Sequence, residues 1–222
     1  YGVTTMAIYV LLGPPGVGKG TLAEMLCERF GFMHVSTGDI LREEVRRGTD
    51  LGLRVKGYMD SGGLVPDEVI GAIIAGRLAE DDVQRRGCLL DGFPRTLPQA
   101  TLFDRLIHDG APALDRVLLL QADEELLLKR LTARRVCARC RAVFNVLFTP
   151  PRQEGVCDRC GGPLEQRRDD TDATARERLR VYGAQTEPLV RFYDERKLVL
   201  RFDAARDKNE LLRAVCQALS LS

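Results

Sequence analysis

Residues 13–21, Gly-Pro-Pro-Gly-Val-Gly-Lys-Gly-Thr, narrow the choice of fold more than any other stretch of this chain. They follow an apolar run, Ala7 to Leu12, and precede a helix-period segment, Thr21 to Phe30. Strand, glycine-rich turn and helix in that order are the setting of a phosphate-binding loop. Glycine lets the backbone turn its N–H groups towards phosphate oxygens, and the helix N-terminus adds positive potential. Gly16, Val17, Gly18, Lys19, Gly20 and Thr21 are therefore candidate phosphate ligands, with the Lys19 ammonium reaching the β- and γ-phosphates. Gly20 stands where the usual pattern has Ser or Thr directly after the lysine. That weakens the case for a direct hydroxyl ligand to Mg²⁺ and leaves Thr21 as a phosphate contact.

Further apolar, strand-sized runs occur at Met33 to Ser36, Cys88 to Asp91, Arg116 to Gln121 and Leu198 to Phe202. Helix-period segments lie between them: Pro66 to Glu80, with proline where a missing N–H costs nothing, and Asp123 to Arg135, acidic at its start and basic at its end. Ala173 to Arg196 reads as a long helix that Pro188 should bend or break. Strands alternating with helices predict an α/β fold, a five-stranded parallel sheet of the P-loop type flanked by helices. Two excursions interrupt it. One, 36–66, is punctuated by Gly48, Gly52, Gly57, Gly62 and Gly63; the other, 136–172, is rich in cysteine, proline and glycine. The expected core is then 6–35, 67–135 and 173–222.

The charges nearly cancel, 33 basic against 32 acidic residues, which gives no broad electrostatic reason to bind nucleic acid or an anionic membrane. The longest apolar runs are far shorter than a membrane span, and no basic, apolar, small-residue series resembling a signal peptide is present. A cytoplasmic location is expected, and nothing calls for more than a monomer.

Cys137-x-x-Cys140 and Cys157-x-x-Cys160 are separated by sixteen residues, a spacing suited to a four-thiolate zinc knuckle. Four cysteine ligands leave no open coordination position, so the zinc should be structural. A segment this small has little core of its own, and metal binding can supply much of its folding energy. A zinc ribbon that binds nucleic acid is the rival reading, but it needs a basic face. This segment also carries Glu154, Asp158, Glu165, Asp169 and Asp170.

Gly-Lys-Gly-Thr at 18–21, Ser36-Thr37-Gly38-Asp39-Ile40-Leu41-Arg42, and Asp91-Gly92-Phe93-Pro94-Arg95-Thr96 followed by Gln99 together resemble the nucleoside monophosphate kinases. The resemblance runs from about Ile8 to the final helix. Phe148-Thr149-Pro150-Pro151 and Gly155-Val156-Cys157-Asp158 are similar to the long-lid, zinc-bearing bacterial adenylate kinases within that family. The resemblance implies Mg²⁺-dependent phosphoryl transfer between ATP and AMP, a helical monophosphate-binding excursion at 36–66, and a zinc-stapled lid at 136–172.

It also implies site residues. For AMP these are Thr37, Arg42, the backbone of Gly63, Leu64 and Val65, then Gly92, Phe93, Pro94, Arg95 and Gln99. For ATP they are the phosphate loop, Arg130 and Arg134 facing the phosphates from one helix, Val143 and Phe144 at the adenine, and the Arg206 backbone. Arg167 and Arg178 should close from the lid side, and Asp91 should orient Mg²⁺ through its water shell. The chemistry agrees with this set. Phosphoryl transfer is largely positioning and cationic clamping, guanidinium forks match phosphate oxygens, and a phosphate acceptor needs no general base. Kinases using UMP, CMP or GMP, and a regulatory ATP-binding module without chemistry, are the remaining rivals.

Overall fold

The computed structural model describes residues 7–108 and 113–221; Met6 and Ser222, expected as ends of core segments, lie outside them. At the centre is a five-stranded parallel sheet, ordered β2-β3-β1-β4-β8. Its strands are β1 Ile8–Leu12, β2 Met33–Ser36, β3 Cys88–Asp91, β4 Leu114–Gln121 and β8 Val199–Asp203. Alternate residues feed two apolar cores. Val10, Val35, Leu90, Val117 and Leu119 face one side, and Tyr9, Leu11, Leu89, Leu118 and Leu120 face the other. Burial on both faces explains why β1, β3 and residues 117–120 of β4 read as continuous apolar runs.

Helices cover both faces. α1 (Lys19–Phe30) and α10 (Lys208–Ala218) pack on the second core. On the first core lie α4 (Asp67–Leu78), α5 (Asp81–Arg86), α6 (Leu97–His108) and α9 (Pro188–Asp194). The 36–66 excursion is a helix pair, α2 (Thr37–Arg47) and α3 (Asp50–Ser61). Ser36 caps α2 by accepting the Asp39 N–H, and Thr49 caps α3 by accepting the Gly52 N–H.

The basic end of the expected Asp123–Arg135 helix departs from this pattern. α7 runs only from Glu124 to Thr132, and Arg134–Cys137 is a strand, β5. It pairs antiparallel with β6 (Val143–Asn145) and β7 (Leu164–Glu165). Val136 and Cys137 are buried there, so the tertiary gain of a small sheet outweighs continuation of the helix. Arg130 and Arg134 are therefore not neighbours on one helix face. The expected break at Pro188 is present: α8 (Asp172–Val181) passes into a π-helical turn, Tyr182–Thr186, and α9 restarts with Pro188 in its first turn.

Candidate active site

The carboxyl ends of parallel strands open onto a crevice, the usual ligand position in open α/β sheets. Here it is a cleft of about 980 Å³ lined by residues of the core and of both excursions. The phosphate loop forms its floor. Gly18 adopts φ +104° and caps α1, so Lys19, Gly20 and Thr21 occupy the first helical turn, whose N–H groups have no partner within the helix. At Gly16, φ is +82°, and a Cβ would stand 2.8 Å from the Leu131 side chain and 2.9 Å from the Leu127 carbonyl. Only glycine fits between the loop and α7. The Lys19 ammonium donates to the carbonyls of Gly13 (2.7 Å) and Pro14 (3.0 Å). Burial pulls its pKa down to about 8, and Arg95, Arg178 and Arg134 push the same way against the attraction of Asp91.

Of the basic residues that line the cleft, six lie close enough to repel one another: Lys19, Arg42, Arg95, Arg134, Arg167 and Arg178. Arg95 follows β3; its Nε donates to Gly92 O (2.8 Å), and burial, then Arg178, lowers its pKa to about 10. Arg167 is lowered to about 9 by burial and by Arg42 and Arg134. Both remain charged at neutral pH. Arg42 Nε and Arg167 Nε are buried and without a hydrogen-bond partner. Orphaned cationic donors are costly, so an anion is the ligand that this arrangement suits.

Acids that the sequence motifs did not single out hold these arginines in place. Asp170, fully buried, accepts from Arg134 Nε (2.8 Å) and Nη2 (2.5 Å) and from Arg178 Nη1 (2.9 Å). Asp39 accepts from Arg42 (2.7 Å) and lies 3.8 Å from Arg167, while Asp169 lies 3.7 Å from Arg42. The two excursions therefore meet across the cleft through ion pairs. The available signal was the Arg167-Arg168-Asp169-Asp170 run itself, where acids adjoin a candidate phosphate ligand. Asp91, at the end of β3, lies 3.6 Å from His34 Nε2. Burial alone would raise its pKa, but His34 and Lys19 outweigh that and hold the carboxylate ionised.

Thr37, Gln99 and Val65 are buried at the other end of the cleft, with Gly63 and Leu64 beside them. Thr37 Oγ1 donates to Gly92 O (2.9 Å). Phe93 packs edge-on against Phe103, and the Phe93–Pro94 peptide is cis. Gly92 has φ +83°, and a Cβ would meet Thr37 Oγ1 at 2.7 Å and Arg95 Nη2 at 2.8 Å. Gly92→Ala is expected to cost about 1–3 kcal/mol of stability through backbone strain alone. It should also displace Arg95, whose Nε donates to the Gly92 carbonyl; a melting curve checks the loss of stability.

Arg130 does not join the cationic group. Its Nη1 donates to Ala204 O (2.9 Å) and its guanidinium lies 5.7 Å from the centre of the Phe148 ring. Val143, Phe144, Phe148 and Arg206 line the same end, and the ion-pair partner of Arg206 is Asp203, 3.6 Å away. Asn145 is spent on the backbone: it donates to Arg130 O and accepts from the Leu147 and Phe148 N–H groups.

Sγ atoms of Cys137, Cys140, Cys157 and Cys160 all lie within 4.8 Å of one another, two pairs at 3.5 Å. A zinc tetrahedron with Zn–S of ~2.3 Å has sulfur–sulfur edges of roughly 3.8 Å, so the cluster has the right size. The N–H groups of Arg139 and Cys140 point at Cys137 Sγ (3.4 Å each) and favour a thiolate there. The four residues fit a structural zinc. Cys27 and Cys88 lie apart, their thiols pushed up to about 11 and about 12 by burial.

The protein-family model for adenylate kinase matches residues 11–198. An adenylate kinase of Clostridium tetani (strain Massachusetts / E88) is 46% identical over 210 residues, 95% of this chain and 97% of its own. Adenylate kinases of Caldicellulosiruptor saccharolyticus and Desulfitobacterium hafniense are 45% and 46% identical, covering 98% and 96% of their own lengths. With phosphate loop, arginine cluster and thiolate knuckle all in one cleft-and-lid arrangement, the chain belongs to the adenylate kinase family.

Proposed function

We propose that the cleft holds ATP at its phosphate-loop and lid end and AMP at its α2–α3 end, with the phosphates of both meeting between Lys19 and Arg95. The reaction is reversible phosphoryl transfer between ATP and AMP, giving two ADP. The observation that carries the site assignment is the clustering of six of the cleft's basic residues, two with buried, unpartnered Nε atoms.

In the forward direction an AMP phosphate oxygen attacks the γ-phosphorus. The bond from that phosphorus to the β–γ bridging oxygen breaks, and the electron pair leaves on ADP. The nucleophile is already ionised, so no residue removes a proton. Arg42 and Arg95 orient the acceptor phosphate. Lys19, Arg134, Arg167 and Arg178 neutralise charge on the moving group, and Asp170 holds two of them in place before substrate arrives. Mg²⁺, bound with ATP, neutralises phosphate charge. Asp91, ionised beside the phosphate loop, and Thr21 are the residues suited to its hydration shell.

At the adenine of ATP we assign Val143, Phe144, Arg130 and the Arg206 backbone. Arg130 serves there by stacking rather than as a phosphate ligand, because its guanidinium is engaged by Ala204 O and Phe148. Segments 36–66 and 136–172 act as the moving parts around a core of 6–35, 67–135 and 173–222. Their closure keeps water from the γ-phosphate. No helix of the described residues is long and apolar enough to cross a membrane. A monomer working in the cytoplasm is the reading we adopt, and free thiols disposed for zinc suit a reducing compartment.

Formation of ADP from ATP, Mg²⁺ and a panel of nucleoside monophosphates tests the assignment. AMP should be the preferred acceptor, and preference for UMP, CMP or GMP would overturn it. The Thr37 hydroxyl spends its hydrogen on Gly92 O, so it can only accept from a ligand, as an adenine 6-amino group requires. Thr37→Ala should raise the KM for AMP about tenfold, one hydrogen bond's worth, with little change in the KM for ATP.

A further inference from the structure

We propose that Asp67 is a specificity-positioning residue: it fixes which way round the Gln99 amide stands, and so makes the acceptor site read adenine rather than a 6-oxopurine. The inference rests on the assignment of Gln99 to the AMP base.

Gln99 is 1% exposed and lies on α6, lining the cleft. Its Nε2 donates to Asp67 Oδ1 (2.7 Å), and its Oε1 accepts the Arg95 N–H (2.7 Å). Asp67 is the first residue of α4, and its Oδ2 accepts the Thr96 hydroxyl (3.1 Å). Thr96 in turn accepts the Gln99 backbone N–H (3.2 Å). Each of these contacts has one allowed polarity. A carboxylate only accepts and a backbone N–H only donates, so a reversed amide would face oxygen with oxygen and hydrogen with hydrogen.

An amide has two donor hydrogens and two acceptor lone pairs. Asp67 takes one hydrogen and Arg95 one lone pair, leaving one donor and one acceptor in fixed relative positions. Adenine offers an acceptor at N1 beside a donor at its 6-amino group, the complement of that pair. Hypoxanthine and guanine offer the reverse, N1–H beside O6. An amide free to turn over could serve either base; one that is locked serves only one. The same Arg95 N–H belongs to the residue whose guanidinium takes the phosphate, so base reading and phosphate binding share a single anchor.

The test compares AMP with inosine monophosphate as acceptors, reading the ratio of their kcat/KM values. Asp67→Asn removes the acceptor-only partner, and the AMP preference should fall about tenfold, the worth of one charge-assisted hydrogen bond. Asp67→Glu, which keeps a carboxylate, should restore much of it. Equal losses for both acceptors, with the ratio unmoved, would reduce Asp67 to a helix-end residue and overturn the inference. Gln99→Ala separates the two levels. If it leaves the KM for AMP unchanged, the base assignment itself is wrong; if it raises that KM while Asp67→Asn leaves the ratio unmoved, only the role of Asp67 is wrong. Should Asp67→Asn not fold, neutron diffraction on the unaltered protein decides the same question. Nε2 against Asp67 supports the lock, and Oε1 there refutes it.

Discussion

Lys19→Met is expected to lower turnover by about 10²–10³-fold while leaving the KM for AMP within a few-fold. The magnitude is that of removing one pre-positioned charge from a developing oxyanion. The asymmetry between substrates follows from position. Lys19 sits in the first turn of α1, on the phosphate loop, whereas the end of the cleft proposed for AMP is built by α2, α6 and the β3–α6 loop. Methionine keeps the bulk of the lysine stem, so loss of folding is not a competing explanation, and an unchanged melting curve would show it. Steady-state ADP formation with each substrate varied in turn makes the comparison. A loss below tenfold would mean that the five arginines neutralise the moving phosphoryl group without the lysine.

The same residue sets a pH limit. In the folded protein the Lys19 ammonium titrates near 8, well below its ordinary range, because burial and neighbouring arginines disfavour the charge. Between about pH 8 and the unfolded value of 10.5 the unfolded chain carries the extra proton, so this residue's contribution to stability rises with pH across that window. Binding runs the other way. The phosphate needs the charged form, so kcat/KM for ATP should decline as pH rises past about 8, and that limb should vanish in Lys19→Met.

The sheet was legible because its central strands are buried on both faces and its edge strands are short runs bounded by glycine or charge. All five lie within two residues of the expected ends. The error at Arg134 has a local cause. Arginine ends helices favourably, and nothing in residues 124–135 announces that Val136 and Cys137 will recruit Arg134 into a strand. That pairing is settled by partners at Val143–Asn145 and Leu164–Glu165, far along the chain. The site shows the same division. Residues on a motif could be proposed one by one, whereas Asp170, Asp39 and Asp67 hold other side chains, and a holding role appears only when distances do. Gln99 illustrates it further. The fold buries it and consumes half of its hydrogen-bonding capacity, which no motif announces.

Replacing a zinc ligand should have the largest effect on stability. Of the lid's residues, only Cys137, Ala142 and Cys157 form a buried apolar cluster, and two of these are themselves ligands. Segments below about 40 residues rarely fold without a metal or disulfides, so the four thiolates substitute for the missing core. Cys157→Ser breaks the tetrahedron at a buried ligand with a nearly isosteric change. If the metal contributes about 5 kcal/mol to the folded lid, the thermal midpoint should fall by about 10–20 °C. Turnover should fall with it, because Arg134 on β5 and Arg167 beyond β7 are positioned by the same small sheet. Metal analysis should give about one zinc per unaltered chain and far less in the variant. Cys216→Ser, at a buried thiol outside the cluster, should leave the zinc in place. A Cys157→Ser protein that melts and turns over like the parent would mean that the lid's hydrogen bonds and the Asp170 ion pairs hold it without metal.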